Sequence, residues 1–293
     1  MGEGEGEVGE GGNEGIKVGL AMEDLIPKGK AKKTLWLRGV DMIGYSVNSL
    51  RLTNLKFNDV KSTRSSQVVR FKINQSDTLN ILAGCKARGI KLCGALGAAG
   101  LIAAQSSKSR IDKQRKYAIV TLTDCRSHLD PPLSHHHSGF YHSAIMNTYT
   151  IKGGEKLWDL AKKVYNEYES YKKSNKHFTD MADINYLMCK AIENPTLTSS
   201  SSLRTSILSV FEDTVIENKS KSKVKKGFFE FEEYIGCASA HGVGPCLAIF
   251  DTIRDDGVLD CVCVYPSPLH SRDQMQHFVD HIKSILLDAS NYA

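Results

Sequence analysis

One stretch of the sequence, residues 117–151, limits the possible folds more than any other. Its first part, 117–122, is an apolar run rich in β-branched residues, which predicts a buried strand. Pro131 and Pro132 then remove two backbone donors and force an extended path, so no helix can cross this region. A second long strand is predicted over 140–151. Charges and histidines lie between the two strands, and side chains gathered at a strand's end are a common way to build a site.

The other elements follow an alternating order of strands and helices. Apolar and alternating runs predict further strands over 68–73, 207–211, 228–240, 246–251 and 258–265. Helical spacing of apolar residues predicts helices over 77–88, 92–105, 155–173, 181–192 and 271–287. Residues 34–57 are interpreted as irregular and partly helical. This order predicts an α/β fold, a two-layer sandwich with a mixed sheet flanked by helices.

Local signals mark where these elements begin and end. Ser76 is a predicted N-cap and Gly89 a predicted helix end. Gly257 completes a turn between the last two strands, and Ser271 with Gln274 resembles a capping box. The helix over 92–105 is apolar nearly all round and rich in Gly and Ala, so we expect it to be buried and closely approached by a neighbouring element.

Length and composition exclude several classes of protein. A chain of 293 residues can bury a large core, and a net charge of +5 is too small to indicate nucleic-acid binding. No apolar run reaches the ~18 residues of a membrane span, and the N-terminal residues lack the order of a signal peptide. Eight cysteines without a CxxC pair, including Cys261 and Cys263, indicate free thiols in a reducing compartment. We therefore expect a cytoplasmic protein without nucleic-acid or membrane partners.

Three segments are predicted along the chain. Residues 1–15 form an acidic Gly/Glu tail that cannot bury enough apolar surface to order itself, so disorder is expected there. Residues 16–65 are predicted to be an irregular segment. Residues 66–293 contain all the predicted strands and are expected to form one lobe.

Five motifs, taken in order, carry a resemblance to a known superfamily. They are VVRFKINQSDTL (68–79), IKLCGALGAAGLIAA (90–104), TDCRSHLDPPL (123–133), GFYHSAI (139–145) and SAHGVGP (239–245). They resemble the C-terminal half of the CoA-dependent acyltransferases of the chloramphenicol acetyltransferase, plant BAHD and condensation-domain type. The greatest similarity is to plant alcohol-acetyltransferase-like or condensation-domain proteins.

The resemblance implies an architecture and a chemistry. Family members have two lobes with a channel between them, and residues 16–65 would be the inter-lobe segment. Acyl-CoA is a co-substrate rather than a bound cofactor, and a small alcohol or amine accepts the acyl group. The catalytic base is the second histidine of an HHxxxDG motif, which deprotonates the acceptor. The Asp of that motif pairs with an arginine, and Arg126 matches this arginine.

The resemblance also assigns roles to residues of this lobe. The structural motif positions are Asp124, Arg126, Gly139, Gly242, Gly244 and Pro245. Tyr141, Ser143 and His241 are expected to line the channel, and His142 is the one candidate for catalysis. For His142 and His241, the alternative is a buried, hydrogen-bonded histidine without a functional role.

The HHxxxDG motif is missing from this sequence. Its adjacent histidines, His135, His136 and His137, have Phe140 or Tyr141 where the motif needs Asp. This triplet is interpreted as a surface loop, with an adventitious metal site or a catalytic role as alternatives, and no spacing supplies the further ligands of a metal site. We therefore expect a fragment or short product, inactive without a first lobe. The alternatives are a non-catalytic binding module, associating through the exposed lobe–lobe face, and a new site built from these histidines.

Overall fold

The protein is described by a computed structural model that covers residues 17–18, 20–108, 113–134, 137–194, 204–216, 237–240 and 242–290. Within these residues, the strands are β1 (Lys17–Val18), β2 (Ser65–Ile73), β3 (Arg115–Asp124), β4 (His137–Ser138), β5 (His142–Ile151), β6 (Arg204–Phe211), β7 (Val215–Ile216), β8 (Gly244–Ile253) and β9 (Leu259–Ser267). The helices are α1 (Leu35–Arg51), α2 (Gln75–Ala87), α3 (Leu92–Ser106), α4 (Leu157–Lys173), α5 (Lys176–Thr179), α6 (Met181–Glu193) and α7 (Arg272–Ser290).

The main sheet is mixed, and its strand order is β2-β9-β8-β6-β3-β5. The central strands β8, β6 and β3 are parallel, whereas β2–β9, β9–β8 and β3–β5 are antiparallel pairs. The short β7 adds to β8, and β1 pairs with β4 in a separate two-stranded sheet. This arrangement confirms the predicted α/β class with a mixed sheet.

Helices α3, α4 and α7 pack on one face of the sheet. Alternate residues of β5 point to this face and are buried, such as Tyr149, whose hydroxyl donates to the Val164 carbonyl of α4. The other face carries side chains that are only partly buried, including Ala144 and Ala248. The protein is therefore a two-layer sandwich with its main core between the sheet and α3.

Helix α3 lies close to the sheet because its contact positions lack side chains. A Cβ atom at Gly97 would come within 3.1 Å of Ile119 on β3, and one at Gly100 would overlap with Leu208 on β6. At Gly94, a Cβ atom would lie 3.0 Å from the Ala161 carbonyl of α4. The predicted close approach to small residues is thus present on two sides of the helix.

Most helix ends agree with the sequence signals, with one correction. Gly89 has a positive φ of 65° after α2, and the Ser271 hydroxyl accepts a hydrogen bond from the Gln274 amide at 3.2 Å. The predicted N-cap Ser76 is wrong, because the Asn74 side chain takes that place and accepts from the Asp77 amide at 2.9 Å. An asparagine at the strand end caps as well as serine does, and helix α2 begins earlier for that reason.

The segment 34–57, interpreted as irregular and partly helical, contains α1, a helix of 17 residues that follows its N-cap Thr34, and residues 52–57 after it lack helix or strand structure. A charge network fastens this helix to the lobe. The Lys33 ammonium, whose side chain is only 5% exposed, lies 2.6 Å from Asp41 and 2.9 Å from both Asp180 and Asp183. The helix is held by these tertiary ion pairs, which the local sequence pattern does not reveal.

Parts of the sequence interpretation lie outside the described residues. These parts are the tail over 1–15 and most of the strand predicted over 228–240. Residues 237–240, which end that predicted strand, have no strand structure. The division of the chain at residue 65 into a segment and a lobe stays a prediction.

Candidate functional site

Several strand ends meet at one edge of the sheet, called here the Asp124 edge. The last residue of β3, Asp124, pairs with the first residue of β5, His142. Because β6 is parallel to β3, its last residue, Phe211, lies beside Leu122 at the same edge. Side chains from three strands are therefore brought together at this edge.

Arg126 fastens the loop that follows β3. Its backbone amide donates to Asp124 Oδ1 at 3.0 Å, and its Nη1 lies 3.2 Å from Asp124 Oδ2. Its Nη2 donates to the Gly139 carbonyl at 2.8 Å, and the guanidinium lies 5.0 Å from the centre of the Tyr141 ring. One side chain thus joins the end of β3 to the residues that lead into β5, which is the geometry of an anchor.

Gly139 and Tyr141 form a close contact beside this arginine. Gly139 has a φ of 152°, and a Cβ atom there would lie 2.7 Å from the Tyr141 ring. Tyr141 is buried in a second apolar cluster with Met22 and Leu25 of the N-terminal segment. Tyr141 is therefore buried within this chain, and its place along a channel stays a prediction.

His142 lies half-buried in a row of aromatic rings. Its ring is 5.1 Å from that of Phe140 and 5.3 Å, edge to face, from that of Phe211, which lies 5.2 Å from Phe250. Its Nδ1 is buried without a hydrogen-bond partner among the described residues. Burial lowers the pKa of His142, although Asp124 opposes this. A neutral imidazole with a free nitrogen can accept a proton, so His142 is chemically able to act as a base.

Ser143 points to the opposite face of the sheet from His142. Its hydroxyl donates a hydrogen bond to the His177 carbonyl in α5. His177 is itself buried, and burial together with the nearby His128 lowers its pKa to about 4. Ser143 therefore faces the helical layer, and among the described residues it does not share the surface of His142.

A buried charge cluster beneath this edge was missed in the sequence. Glu212, which follows β6, is 2% exposed and accepts hydrogen bonds from Lys91 at 2.7 Å and Lys172 at 2.6 Å. Burial opposes its ionisation, but the bonds from Lys172 and Lys91 outweigh burial and lower the pKa of Glu212. Glu212 could have been found in the sequence by its position, because it is a charged residue at the end of a buried strand, as Asp124 is.

The glycine motif lies at the opposite end of the sheet. Gly244 begins β8 and pairs with Arg204, the first residue of β6, and both strands run parallel to β3. Arg204 is 1% exposed and donates to the carbonyls of Ala240, Gly242 and Pro245. We call this end the Arg204 edge. The motif therefore secures a buried arginine and does not lie beside His142.

The remaining histidine predictions fall partly outside the described residues. His135, His136 and His241 belong to the part of the chain that the structure leaves undescribed, although the neighbours of His241 lie at the Arg204 edge. His137 is in β4, and its Nδ1 lies 3.1 Å from the Ser134 hydroxyl. Among the described residues, no group of three or more His, Cys, Asp or Glu side chains is placed to hold a metal ion.

Two further properties bear on the class of protein. All eight cysteines are unpaired, and Cys189 and Cys237 are the two that are exposed. Across the described ranges, no single helix combines the length and apolar character needed to cross a membrane.

Comparison with known proteins shows the fold. No protein-family model and no curated protein sequence matches the chain. Among solved structures, the trichothecene 15-O-acetyltransferase of Fusarium sporotrichioides superposes with a TM-score of 0.66 at 14% identity, over 85% of this chain and 51% of that enzyme. The epimerization domain from the third module of tyrocidine synthetase B gives a TM-score of 0.58 at 15% identity, over 92% of this chain and 57% of that domain.

A third similar structure is the cyclization-docking bidomain of EpoB from Sorangium cellulosum, with a TM-score of 0.58 at 10% identity. It is matched over 89% of this chain and 50% of its own length. The chain thus has the fold of condensation-domain and chloramphenicol acetyltransferase-like acyltransferases. It spans about half the length of these neighbours.

Proposed function

We propose that this chain is one lobe of a two-lobed acyltransferase-like protein, and that its Asp124 edge faces the channel between the lobes. In the whole protein, an acyl group would pass from acyl-CoA to a small alcohol or amine. The observation that carries this proposal is the fold match, which covers most of this chain and about half of each neighbour.

An exposed apolar surface on α1 supports the presence of a second lobe that packs against it. Trp36, Val40, Ile43 and Val47 lie along one side of the helix at helical spacing and are 40–79% exposed. Apolar groups of this size on a monomer mark a surface that another protein part covers. We assign this stripe, named the α1 stripe, to contact with the other lobe.

The row of rings at the Asp124 edge would form one wall of the channel. Phe140, Phe211 and Phe250 offer apolar contact, and His142 adds one neutral imidazole to the row. Arg126 holds the loop beside it. The general base, by the family resemblance, would come from an HHxxxDG motif on the other lobe.

Because the general base and the second channel wall would belong to the other lobe, we expect residues 1–293 alone to transfer acyl groups poorly. A general base contributes about 10²–10⁴-fold, whereas orientation of two bound reactants reaches effective molarities of about 10⁵–10⁸ M. The loss of orientation is therefore the larger of the two. His142 could supply a base, but it could not restore the second wall of a channel.

The test is turnover of acetyl-CoA with a panel of alcohols and amines, by residues 1–293 and by the same chain extended through any coding sequence upstream. We expect transfer only by an extended chain that carries HHxxxDG. Robust transfer by residues 1–293, abolished by His142→Ala, would contradict the proposal and show that the lobe has a site of its own.

The second candidate function is a non-catalytic binding module with the same fold. The absence of HHxxxDG from this sequence favours it. Activity of neither protein, together with saturable binding of a partner through the α1 stripe, would support this module over the acyltransferase.

A further inference from the structure

A groove of about 820 Å³ lies on the helical side of the Arg204 edge, far from the row of rings. It runs between the segment 55–58, the end of α3 and the first half of α7. Asn54 links it to that edge, because its side-chain oxygen accepts from Cys246, next to Pro245, at 3.9 Å. Pockets that hold small molecules have volumes of this order.

The groove combines an apolar floor with a basic rim. Leu55, Ala103 and Phe278 are buried side chains of the floor, and Phe57 lies partly exposed beside them. The basic or potentially basic lining residues are Lys56, Lys108, His277 and His281. No acidic residue lines the groove among the described residues. Its chemistry therefore favours a ligand with an apolar body and a negative charge.

Lys108 is the residue that most clearly lacks a partner of opposite charge. It is partly buried, and its ammonium donates to the neutral Asn54 carbonyl at 2.5 Å, with no carboxylate within 4.0 Å among the described residues. Other partly or fully buried lysines of this protein, such as Lys33 and Lys172, do have carboxylate partners. Burial lowers the pKa of Lys108, as does the nearby Arg115.

An uncompensated charge in such a place raises the free energy of the folded state unless an anion joins it. A carboxylate in the groove would give the Lys108 ammonium a charge-assisted hydrogen bond, and its apolar body would cover the Phe57 and Phe278 rings. His277 and His281, one helical turn apart on α7, lie at the exposed rim above the floor.

We propose that this groove binds a small amphipathic carboxylate, with its charged head at Lys108 and its apolar body on the phenylalanine floor. The site does not depend on the acyl-transfer proposal, because it lies at the other end of the sheet and needs no second lobe.

Octanoate is a suitable probe, titrated into the 293-residue chain by calorimetry and followed by NMR of the His277 and His281 ring protons. Octanol lacks the charge and acetate lacks the apolar body. We expect octanoate to bind about tenfold more tightly than octanol, which corresponds to one charge-assisted contact, and at least about tenfold more tightly than acetate, which lacks the apolar contact with the floor. Equal affinity for octanol and octanoate, no binding, or binding that leaves both histidine signals unchanged would overturn the proposal.

A substitution of Lys108 tests whether its charge contributes to octanoate binding. Lys108→Met keeps the apolar stem and removes the charge, and it should weaken octanoate binding about tenfold while octanol binding stays unchanged. Lys163→Met, on the exposed side of α4, is the control and should change neither affinity. Unchanged octanoate affinity in the folded Lys108→Met protein would overturn the assignment.

A different variant, His277→Glu, tests the groove even if Lys108→Met fails to fold. His277→Glu changes an exposed helical residue and places a carboxylate on the rim, where it competes with the ligand for the positive charge. We expect it to weaken octanoate binding several-fold. Gln276→Glu adds the same charge at the preceding position, which does not line the groove, and an equal loss in both variants would contradict a bound ligand in this groove.

Discussion

At the scale of single residues, Arg126 joins several parts of the loop that follows β3. One guanidinium reaches the end of β3, the Gly139 carbonyl and the Tyr141 ring. These contacts require a long, planar, permanently charged side chain with several donors, which is the property that distinguishes arginine from lysine.

Arg126→Ala should lower the free energy of unfolding by about 1–2 kcal/mol, measured by urea denaturation. The half-exposed Asp124 contributes little, because solvent screens its ion pair, so most of the loss comes from the Gly139 bond and the ring contact. Arg51→Ala, at an exposed position, should cost much less. Unchanged stability together with loss of only the chemical step in an active extended protein would show that Arg126 is not an anchor.

A second residue, Asp251, gives the lobe a dependence on pH. It is 3% exposed, and its carboxylate oxygens have no hydrogen-bond partner of normal geometry among the described residues. Burial raises the pKa of Asp251 to about 6, and the nearby Thr214 hydroxyl offsets only part of this. The folded state therefore holds this proton more tightly than the unfolded state does.

Because the pKa of Asp251 is raised on folding, its favourable contribution is complete below about pH 4 and is lost as the pH rises through 6. Asp251→Asn should therefore stabilise the protein at pH 7–8 by up to about 3 kcal/mol and change little at pH 4. Thermal unfolding measured from pH 4 to 8 tests this. An equal difference between the two proteins at every pH would show that Asp251 does not titrate in this range.

At the scale of elements, α3 shows what a sequence pattern can predict. Its all-round apolar composition predicted burial, and its glycines predicted close approach, because both follow from properties of the residues alone. The partners of those glycines could not be predicted, since Ile119, Ala161 and Leu208 come from three different elements.

Gly100→Ala tests how closely α3 lies on the sheet. The added methyl group would overlap with Leu208, so the helix or the strand must shift, at a cost of about 1–3 kcal/mol in unfolding free energy. Gly44→Ala in α1 is the matched control, because its Cβ atom would meet nothing within 4 Å and should stabilise by up to about 1 kcal/mol. Equal gains in both variants would show that α3 packs less closely than described.

Helix α1 shows what a pattern misses. Mixed apolar and polar residues with two glycines predicted only a partly helical segment over 34–57, yet 35–51 is one helix, and Lys33, just before it, joins Asp41 of the helix to Asp180 and Asp183. Interactions across nearly 150 residues of sequence have no local signature. The position of Glu212 after a strand was a local signal, but its two lysine partners come from distant segments and had none.

Lys33→Met should release α1 from the lobe. The variant leaves three carboxylates together without their common cation, which costs about 3–5 kcal/mol for a buried ion pair. Hydrogen exchange should show lost protection in α1 before the sheet is affected. Lys32→Met, at the exposed neighbouring position, should leave protection unchanged, and intact α1 protection in Lys33→Met would contradict the role of this network.

At the scale of the whole molecule, the two ends of the sheet have different characters. The Asp124 edge carries the ring row and His142, whereas the Arg204 edge carries the buried Arg204 and the partly buried Lys108, both bound to carbonyl groups. The motif order in the sequence predicted the fold correctly. The parallel direction of β3, β6 and β8 places His142 and the start of β8 at opposite ends of the sheet, and a motif does not reveal strand direction. The channel-lining roles of His142 and His241 stay predictions.

The α1 stripe should make the isolated lobe self-associate at high concentration. Ile43→Glu places a charge in the middle of the stripe, at a residue 67% exposed, and should shift the protein toward monomer in sedimentation velocity. Leu79→Glu changes a similarly exposed leucine of α2, 57% exposed and outside the stripe, and should have no such effect. If both variants behave alike, association does not depend on α1.

The pairing of β2 with β9 delays completion of the main sheet until the end of the chain has been synthesised. Among the described strands, the first strand of the main sheet pairs with the last one, and Arg70 and Asp260 of this pair are separated by 190 residues. At translation rates of about 5–20 residues per second, β2 waits about 10–40 s before its partner emerges. We therefore expect β2 to stay without its sheet partner, and so prone to aggregation, until the final strand has been made.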